Sequence, residues 1–175
     1  MFNNKGFTLI ELVIVIVLLG ILAALAMPYF MNLRKDSEVA IVQSLKGALQ
    51  DGSRLVHAKA AIEHLDDGNE NILINGGEIS IRAGYPRVAG NCLNFTDQLQ
   101  YWISMDIDNS ICSSGNNTDW YGTVKANAFH FMPANYTSII QNCYVTYTTA
   151  SERINGAWID TESATVTAET SGCGG

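Results

Sequence analysis

Lys5-Gly6-Phe7-Thr8-Leu9-Ile10-Glu11 opens onto a run, Leu12 to Met31, that holds no charged side chain, so Glu11 stands as one unpaired carboxylate at the edge of an apolar segment. Only Gly20, Pro28 and the phenol of Tyr29 interrupt the oily character of that run. Twenty such residues form about 30 Å of helix, enough to cross the hydrocarbon of a bilayer. A charge at the membrane centre costs about 2.5–3.5 kcal/mol on insertion scales, and less toward the edge where Glu11 lies. A plain anchor gains nothing from that carboxylate, and the apolar core of an ordinary export signal is normally free of charge. Two readings remain. Glu11 reaches water at the membrane surface, or it is kept for a partner met when the helix leaves the lipid and packs beside copies of itself. The second is the sharper expectation.

Working outward, the pattern changes after the apolar run without breaking. Leu33, Ile41, Leu45, Ala48, Leu49, Gly52, Leu55, Val56 and Ile62 recur at spacings near three and four, which places them on one helix face with charged residues on the other. No strong stop precedes Asp66-Asp67-Gly68-Asn69, so one helix is expected from about residue 7 to 65, a rod of about 88 Å. Its first half has no partner in its own head and needs lipid or other copies around it. Pro28 removes the hydrogen bond to the carbonyl of Ala24 and crowds that turn, so a kink is expected there. Gly20 adds a second weak point worth about 1 kcal/mol against alanine. Proline and glycine are also simply better tolerated in membrane helices.

In the head, Ile72 to Ile81 centres on Asn75-Gly76, a hairpin signal. Pro86 and Gly90 punctuate a loop. Asn94, with Asp97 three positions on, is expected to cap a short helix whose Phe95, Leu99, Trp102 and Ile103 fall on one side together with Asp106. Antiparallel strands are expected over 120–124, 127–132, 142–149, 157–160 and 164–169, with turns at Pro133-Ala134-Asn135 and Asn155-Gly156. Val145 and Tyr147 alternate with Tyr144 and Thr146, which suits a sheet with one face laid on the helix. The expected fold is α+β: a long N-terminal helix whose second half packs on an antiparallel sheet.

Cys92, Cys112, Cys143 and Cys173 all lie beyond the apolar run, and an even count behind an export signal points to two disulfides and an oxidising compartment. This places the head outside the cytoplasm where the positive-inside rule is indecisive, with Lys5 on one side of the span and Arg34 and Lys35 on the other. Four cysteines allow three pairings. Cys92 and Cys112 flank the short helix and Cys143 and Cys173 bracket the last strands, so those two pairs are expected. The chain carries a net charge of −7 over 175 residues. Residues 66–175 hold 12 acids against Arg82, Arg87, Lys125 and Arg153, and such a head repels phosphate backbones. Nucleic acid is therefore not an expected partner of the head, and solubility accounts for the charge.

Several chemistries find little support. Asp106-Ile107-Asp108-Asn109-Ser110 has acids at alternate positions, but a calcium loop would place glycine where Ile111 stands and a carboxylate where Asn117 stands. His57 and His64, seven apart, share a helix face without a third ligand at a recognisable spacing, and are expected to decorate the rod. Asn94-Phe95-Thr96, Asn116-Asn117-Thr118 and Asn135-Tyr136-Thr137 match the glycan acceptor pattern and are read as coincidence. No nucleophile elbow, phosphate loop or dinucleotide fingerprint is found, so no enzymatic activity, cofactor or metal is expected.

Gly6-Phe7-Thr8-Leu9-Ile10-Glu11, with a short polar leader before it and the apolar run behind it, resembles the prepilin signature of type IV pilins and the related pseudopilins. The resemblance implies that a membrane peptidase cuts between Gly6 and Phe7 and methylates the new amino group of Phe7. Glu11 would then pair with the terminal amine of a neighbouring subunit in a helical fibre, and the segment between Gly20 and Pro28 can unwind there. It further implies a leader at 1–6, a membrane and fibre-core helix at 7–33, and a head at 34–175. The implied partners are other copies, the prepilin peptidase and methyltransferase, the pilus assembly platform, minor pilins, and the inner membrane before assembly. Leu45-Lys46-Gly47-Ala48, Val56-His57-Ala58-Lys59-Ala60-Ala61 and Gly84-Tyr85-Pro86 resemble the mannose-sensitive haemagglutinin (MSHA) branch, over about residues 35–90. The expected product is a subunit of an extracellular filament used for attachment. The nearest alternative is a minor pilin or secretion pseudopilin. A third reading is a soluble exported binding protein released after Ala24-Leu25-Ala26, the small-x-small pattern of a conventional signal peptidase.

Overall fold

A computed structural model describes residues 7–88, 91–103, 112, 119–155, 157–161 and 163–175. Helix α1 spans Leu9–Ile62, 54 residues and about 81 Å at 1.5 Å per residue. It is therefore shorter than the expected 7–65 at both ends, and each end has a local cause. Thr8 leaves the helix with extended dihedrals and caps it. At the other end His64 adopts φ 59°, Leu65 N–H reaches back to the Ala60 carbonyl at 2.9 Å and His64 N–H to that of Ala61 at 3.4 Å. This is a Schellman stop, with a histidine where glycine is usual. The helix runs through Gly20 and Pro28 without interruption.

Two antiparallel strands follow, β1 (Asn69–Ile74) and β2 (Gly77–Arg82), joined by Asn75-Gly76 with both φ positive, as a type I′ hairpin requires. A two-residue strand, β3 (Tyr85–Pro86), adds to β2. Helix α2 is Cys92–Trp102. Its cap is Asn91, whose side chain accepts from Asn94 N–H at 2.9 Å; Asn94 itself lies inside the first turn, so the expected cap is displaced by three residues. Phe95, Leu99, Trp102 and Ile103 are buried as their spacing predicts, while Asp106 lies outside the described residues.

The rest of the head is β4 (Trp120–Lys125), β5 (Ala128–Pro133), β6 (Tyr144–Thr148), β7 (Ser151–Ile154), β8 (Ala157–Asp160) and β9 (Thr165–Glu169). Among the described residues the strands form three antiparallel sheets, β1-β2-β3, β4-β5-β6-β9 and the hairpin β7-β8, the first of which contains the expected hairpin at Asn75-Gly76. Strand bounds differ from the expected ones where single residues turn the chain: β4 gains one residue, β5 is shifted by one, and β6 and β9 are shorter. Ala126 and Asn127, at φ 52° and 62°, make the β4–β5 turn, and Asn142, at φ 55°, ends a 3₁₀ turn at Ile139–Gln141 before β6 begins. Arg82 pairs with Asp160 and ties the β7–β8 hairpin to the first sheet.

The second half of α1 lies on β3, β6 and β9. Val145 and Tyr147 point into the core while Tyr144 and Thr146 are only half-buried. Around Phe95 the rings of Phe129 at 4.9 Å and Tyr147 at 5.6 Å form an aromatic centre, and the Tyr147 hydroxyl, fully buried, donates to the Pro86 carbonyl at 2.7 Å. The buried face of α1 is Glu38, Val42, Leu45, Leu49, Gly52, Ser53, Val56 and Ala60, with Ala48 half-buried beside it. Leu33, Ile41, Leu55 and Ile62, expected on that face, are exposed, and a carboxylate occupies it instead.

Candidate functional site

Two places on α1 hold carboxylates in settings that need explanation, and they differ in kind. At the N-terminus, Glu11 turns back on the helix start. Its Oε2 accepts from Thr8 N–H at 3.0 Å and from the Thr8 hydroxyl at 2.8 Å, and Thr8 Oγ1 accepts from Glu11 N–H at 3.3 Å. The result is a capping box. Glu11 is thus partnered within its own chain, where the sequence reading treats it as unpaired. The Thr-x-x-Glu spacing carries that signal.

From Phe7 to Phe30 the large apolar side chains are all exposed, and none of the most hydrophobic 18-residue window is buried within the chain. A surface of that extent is unstable in water; at about 25 cal/mol per Å2 it drives the segment into lipid or against other helices. The helix is long and apolar enough to cross a membrane. Gly20 has open space around its Cβ position, so its small size meets no contact within the chain.

Where the rod enters the head, Glu38 is 8% exposed. Its Oε2 accepts from the Tyr136 hydroxyl at 2.6 Å and from Gly174 N–H at 2.7 Å, and its Oε1 accepts from Arg34 Nε at 3.1 Å. Burial pushes this carboxyl up, but Tyr136, Gly174 and Arg34 together outweigh it and hold the group below its ordinary 4.5. Burial and the Glu38 hydrogen bond push the Tyr136 phenol up in turn. The structure joins Cys143 to Cys173 and Cys92 to Cys112. The first bridge delivers the C-terminal loop to α1, where a Cβ on Gly174 would stand 2.6 Å from Lys35 Cβ. Glu38, Tyr136 and that loop form a collar round the helix, and sequence reading missed it.

The histidines do not sit as expected. His57 stacks on Tyr85 with ring centroids 4.2 Å apart, and His64 lies beyond the helix at its αL stop, so the two do not share a helix face. Among the described residues no group of three or more His, Cys, Asp or Glu is placed to hold a metal. Gly6, the acidic run 106–110 and the tripeptide 116–118 lie outside the described residues.

Residues 1–27 match the prokaryotic N-terminal methylation motif. The chain is 33% identical over 75 residues to fimbrial protein EcpB of Eikenella corrodens, covering 43% of this chain and 47% of that one. It is 50% identical over 47 residues to the type IV major fimbrial protein FimA of Dichelobacter nodosus, covering 27% and 30%. With the type IV narrow pilus major component PilA5 of Thermus thermophilus it shares 43% identity over 56 residues, covering 32% and 48%. The chain thus spans less than half the length of each of these relatives. No solved structure is a significant match. The chain carries an N-terminal methylation motif and is similar, over part of its length, to subunits of type IV fimbriae and pili.

Proposed function

We propose that this chain is a structural subunit of a bacterial type IV pilus of the MSHA type, with no enzymatic role. In this reading it is cut between Gly6 and Phe7, methylated on the Phe7 amine, and held in the inner membrane by residues 7–33. An assembly platform then draws it, with minor pilins, into an extracellular filament for surface attachment. The single observation that carries the reading is the apolar half of α1, headed by Glu11 and with none of its large side chains buried within the chain. That surface stays buried only if lipid is exchanged directly for the helices of other copies. Glu11 supports the exchange: its bonds to Thr8 hold the carboxylate at the helix start, where the amine of a neighbouring Phe7 can take it as a partner. Residues 34–175 become the outer face of the filament, in line with the acidic charge of the head.

Mass spectrometry of filaments sheared from cells tests this. The expected result is this chain as their main component. Recovery only in trace amounts would assign it to a minor or secretion-linked subunit, and recovery only as a soluble exported protein would overturn the reading.

A further inference from the structure

The C-terminal loop that follows β9 is fastened by more than its disulfide. Gly172 N–H donates to the carbonyl of Asn142, the residue before Cys143, at 2.9 Å. Gly174 N–H donates to Glu38 Oε2 at 2.7 Å and lies 2.8 Å from the Tyr136 oxygen. Cys173 stands between these two anchors, so backbone hydrogen bonds on either side of it hold it beside Cys143. A Cβ on Gly172 would run into the Gln141 carbonyl, and one on Gly174 would stand 2.6 Å from Lys35 Cβ, so the backbone of the loop is itself pressed on its supports.

This fastening seals the sulfurs. Cys143 is 1% exposed and Cys173 4%, and both belong to the core together with Tyr136. Exchange with a thiol needs a thiolate to reach one sulfur of the bridge, and with the loop docked neither can be reached. Cys92 and Cys112, by contrast, are only half-buried.

The loop lies beyond the last strand, which ends at Glu169, and the bonds that dock it are few. Segments of that kind open locally, at a cost well below that of unfolding the head. Of the anchors, Glu38 is the strong one, because an ionised acceptor makes hydrogen bonds about twice as strong as a neutral one. We propose that the Glu38 clasp gates thiol–disulfide exchange at Cys143–Cys173: small thiols reduce this bridge only after the loop lets go of Glu38, and they reduce Cys92–Cys112 first. Once released, the loop turns on its bridge and uncovers the sulfurs. A thiolate of a dithiol reductant then attacks one sulfur and expels the other cysteine as a thiolate, which takes up a proton. The second thiol of the reductant resolves the mixed disulfide, so two electrons pass to the cysteines and the reductant leaves as its own cyclic disulfide. The gate is a property of the head alone and stands apart from the pilus-subunit reading.

Timed reduction of the full chain in detergent tests it. Dithiothreitol is added, samples are quenched with iodoacetamide, and peptide mass mapping reads each bridge separately. In the parent, Cys92 and Cys112 should be alkylated well before Cys143 and Cys173. Glu38→Ala should speed reduction of Cys143–Cys173 about a hundredfold, the factor supplied by ~2.8 kcal/mol, and leave the rate at Cys92–Cys112 unchanged. Glu38→Gln, which keeps an oxygen acceptor for Gly174 and Tyr136, should lie closer to the parent than to Glu38→Ala. Gly52→Ala, which crowds Trp102 and Ile103 elsewhere in the head, should stay within about threefold of the parent at Cys143–Cys173 if opening is local. Equal rates at the two bridges in the parent overturn the gate, as does a gain below about tenfold with Glu38→Ala. So does a rise at both bridges together, an equal rise with Gly52→Ala, or no protection by Glu38→Gln. If Glu38→Ala does not fold, Tyr136→Phe decides: it removes one bond of the clasp and should speed reduction of Cys143–Cys173 about tenfold, and an unchanged rate overturns the gate.

Discussion

Replacing Glu38 by alanine should loosen the collar that fastens the C-terminal loop to the rod. Three hydrogen bonds disappear, and they are not equal. The Arg34 side chain is 58% exposed, so its pair with Glu38 is worth at most about 1 kcal/mol. The bonds from Tyr136 and Gly174 end on a buried carboxylate and are each worth about 1.5–3 kcal/mol. Some of that is recovered, because Gly174 N–H already lies 2.8 Å from the Tyr136 oxygen and can bond to it alone. The net loss is about 3 kcal/mol, which for a chain of this size lowers Tm by about 6–12 °C. The sign of the pH dependence is also determined. Glu38 titrates below its ordinary 4.5 in the folded chain, so its stabilisation is present above that value and is lost as pH falls below it through the folded pKa. Glu38→Ala should lack that component of acid destabilisation. Near-ultraviolet circular dichroism of the full chain in detergent reads both effects, through Trp102, Trp120 and the aromatic core. A variant Tm within about 2 °C of the parent at neutral pH would refute the reasoning, since a drop that small corresponds to less than one buried hydrogen bond.

Two further substitutions address other parts of the account. At Gly52 a Cβ would stand 2.5 Å from the Trp102 carbonyl oxygen and 2.8 Å from Ile103 Cγ2, so Gly52→Ala should destabilise by about 1–3 kcal/mol despite alanine's higher helix propensity of about 1 kcal/mol; denaturant unfolding checks the direction. Glu11→Val should raise the preference for lipid by about 2–3 kcal/mol while sharply reducing filaments at unchanged protein level, and electron microscopy with membrane fractionation reads both.

Periodicity made the long helix readable because a 3.6-residue repeat needs no knowledge of what lies opposite. It did not distinguish the core face from its flank. Ile41, Leu55 and Ile62 share the apolar spacing yet stay outside, and Glu38 enters the core because its partners Tyr136 and Gly174 lie 98 and 136 residues away in the chain. Asn75-Gly76 announced its hairpin by composition, whereas Ala126 takes a positive φ that only the strands on either side impose. Strand β7, Ser151–Ile154, has too short and polar a sequence to show alternation and exists by pairing with β8. At the helix start the Thr-x-x-Glu spacing was visible, but Glu11 draws notice as a charge beside an apolar run before it does as half of a capping box.

The most direct test of the central claim is the intact mass, with N-terminal sequence, of this protein taken from surface filaments. The account predicts a chain beginning at Phe7 and carrying one added methyl group on its terminal amine. A mature chain beginning at Met27, 20 residues shorter, would remove Glu11 together with most of the apolar half of the helix and contradict the account.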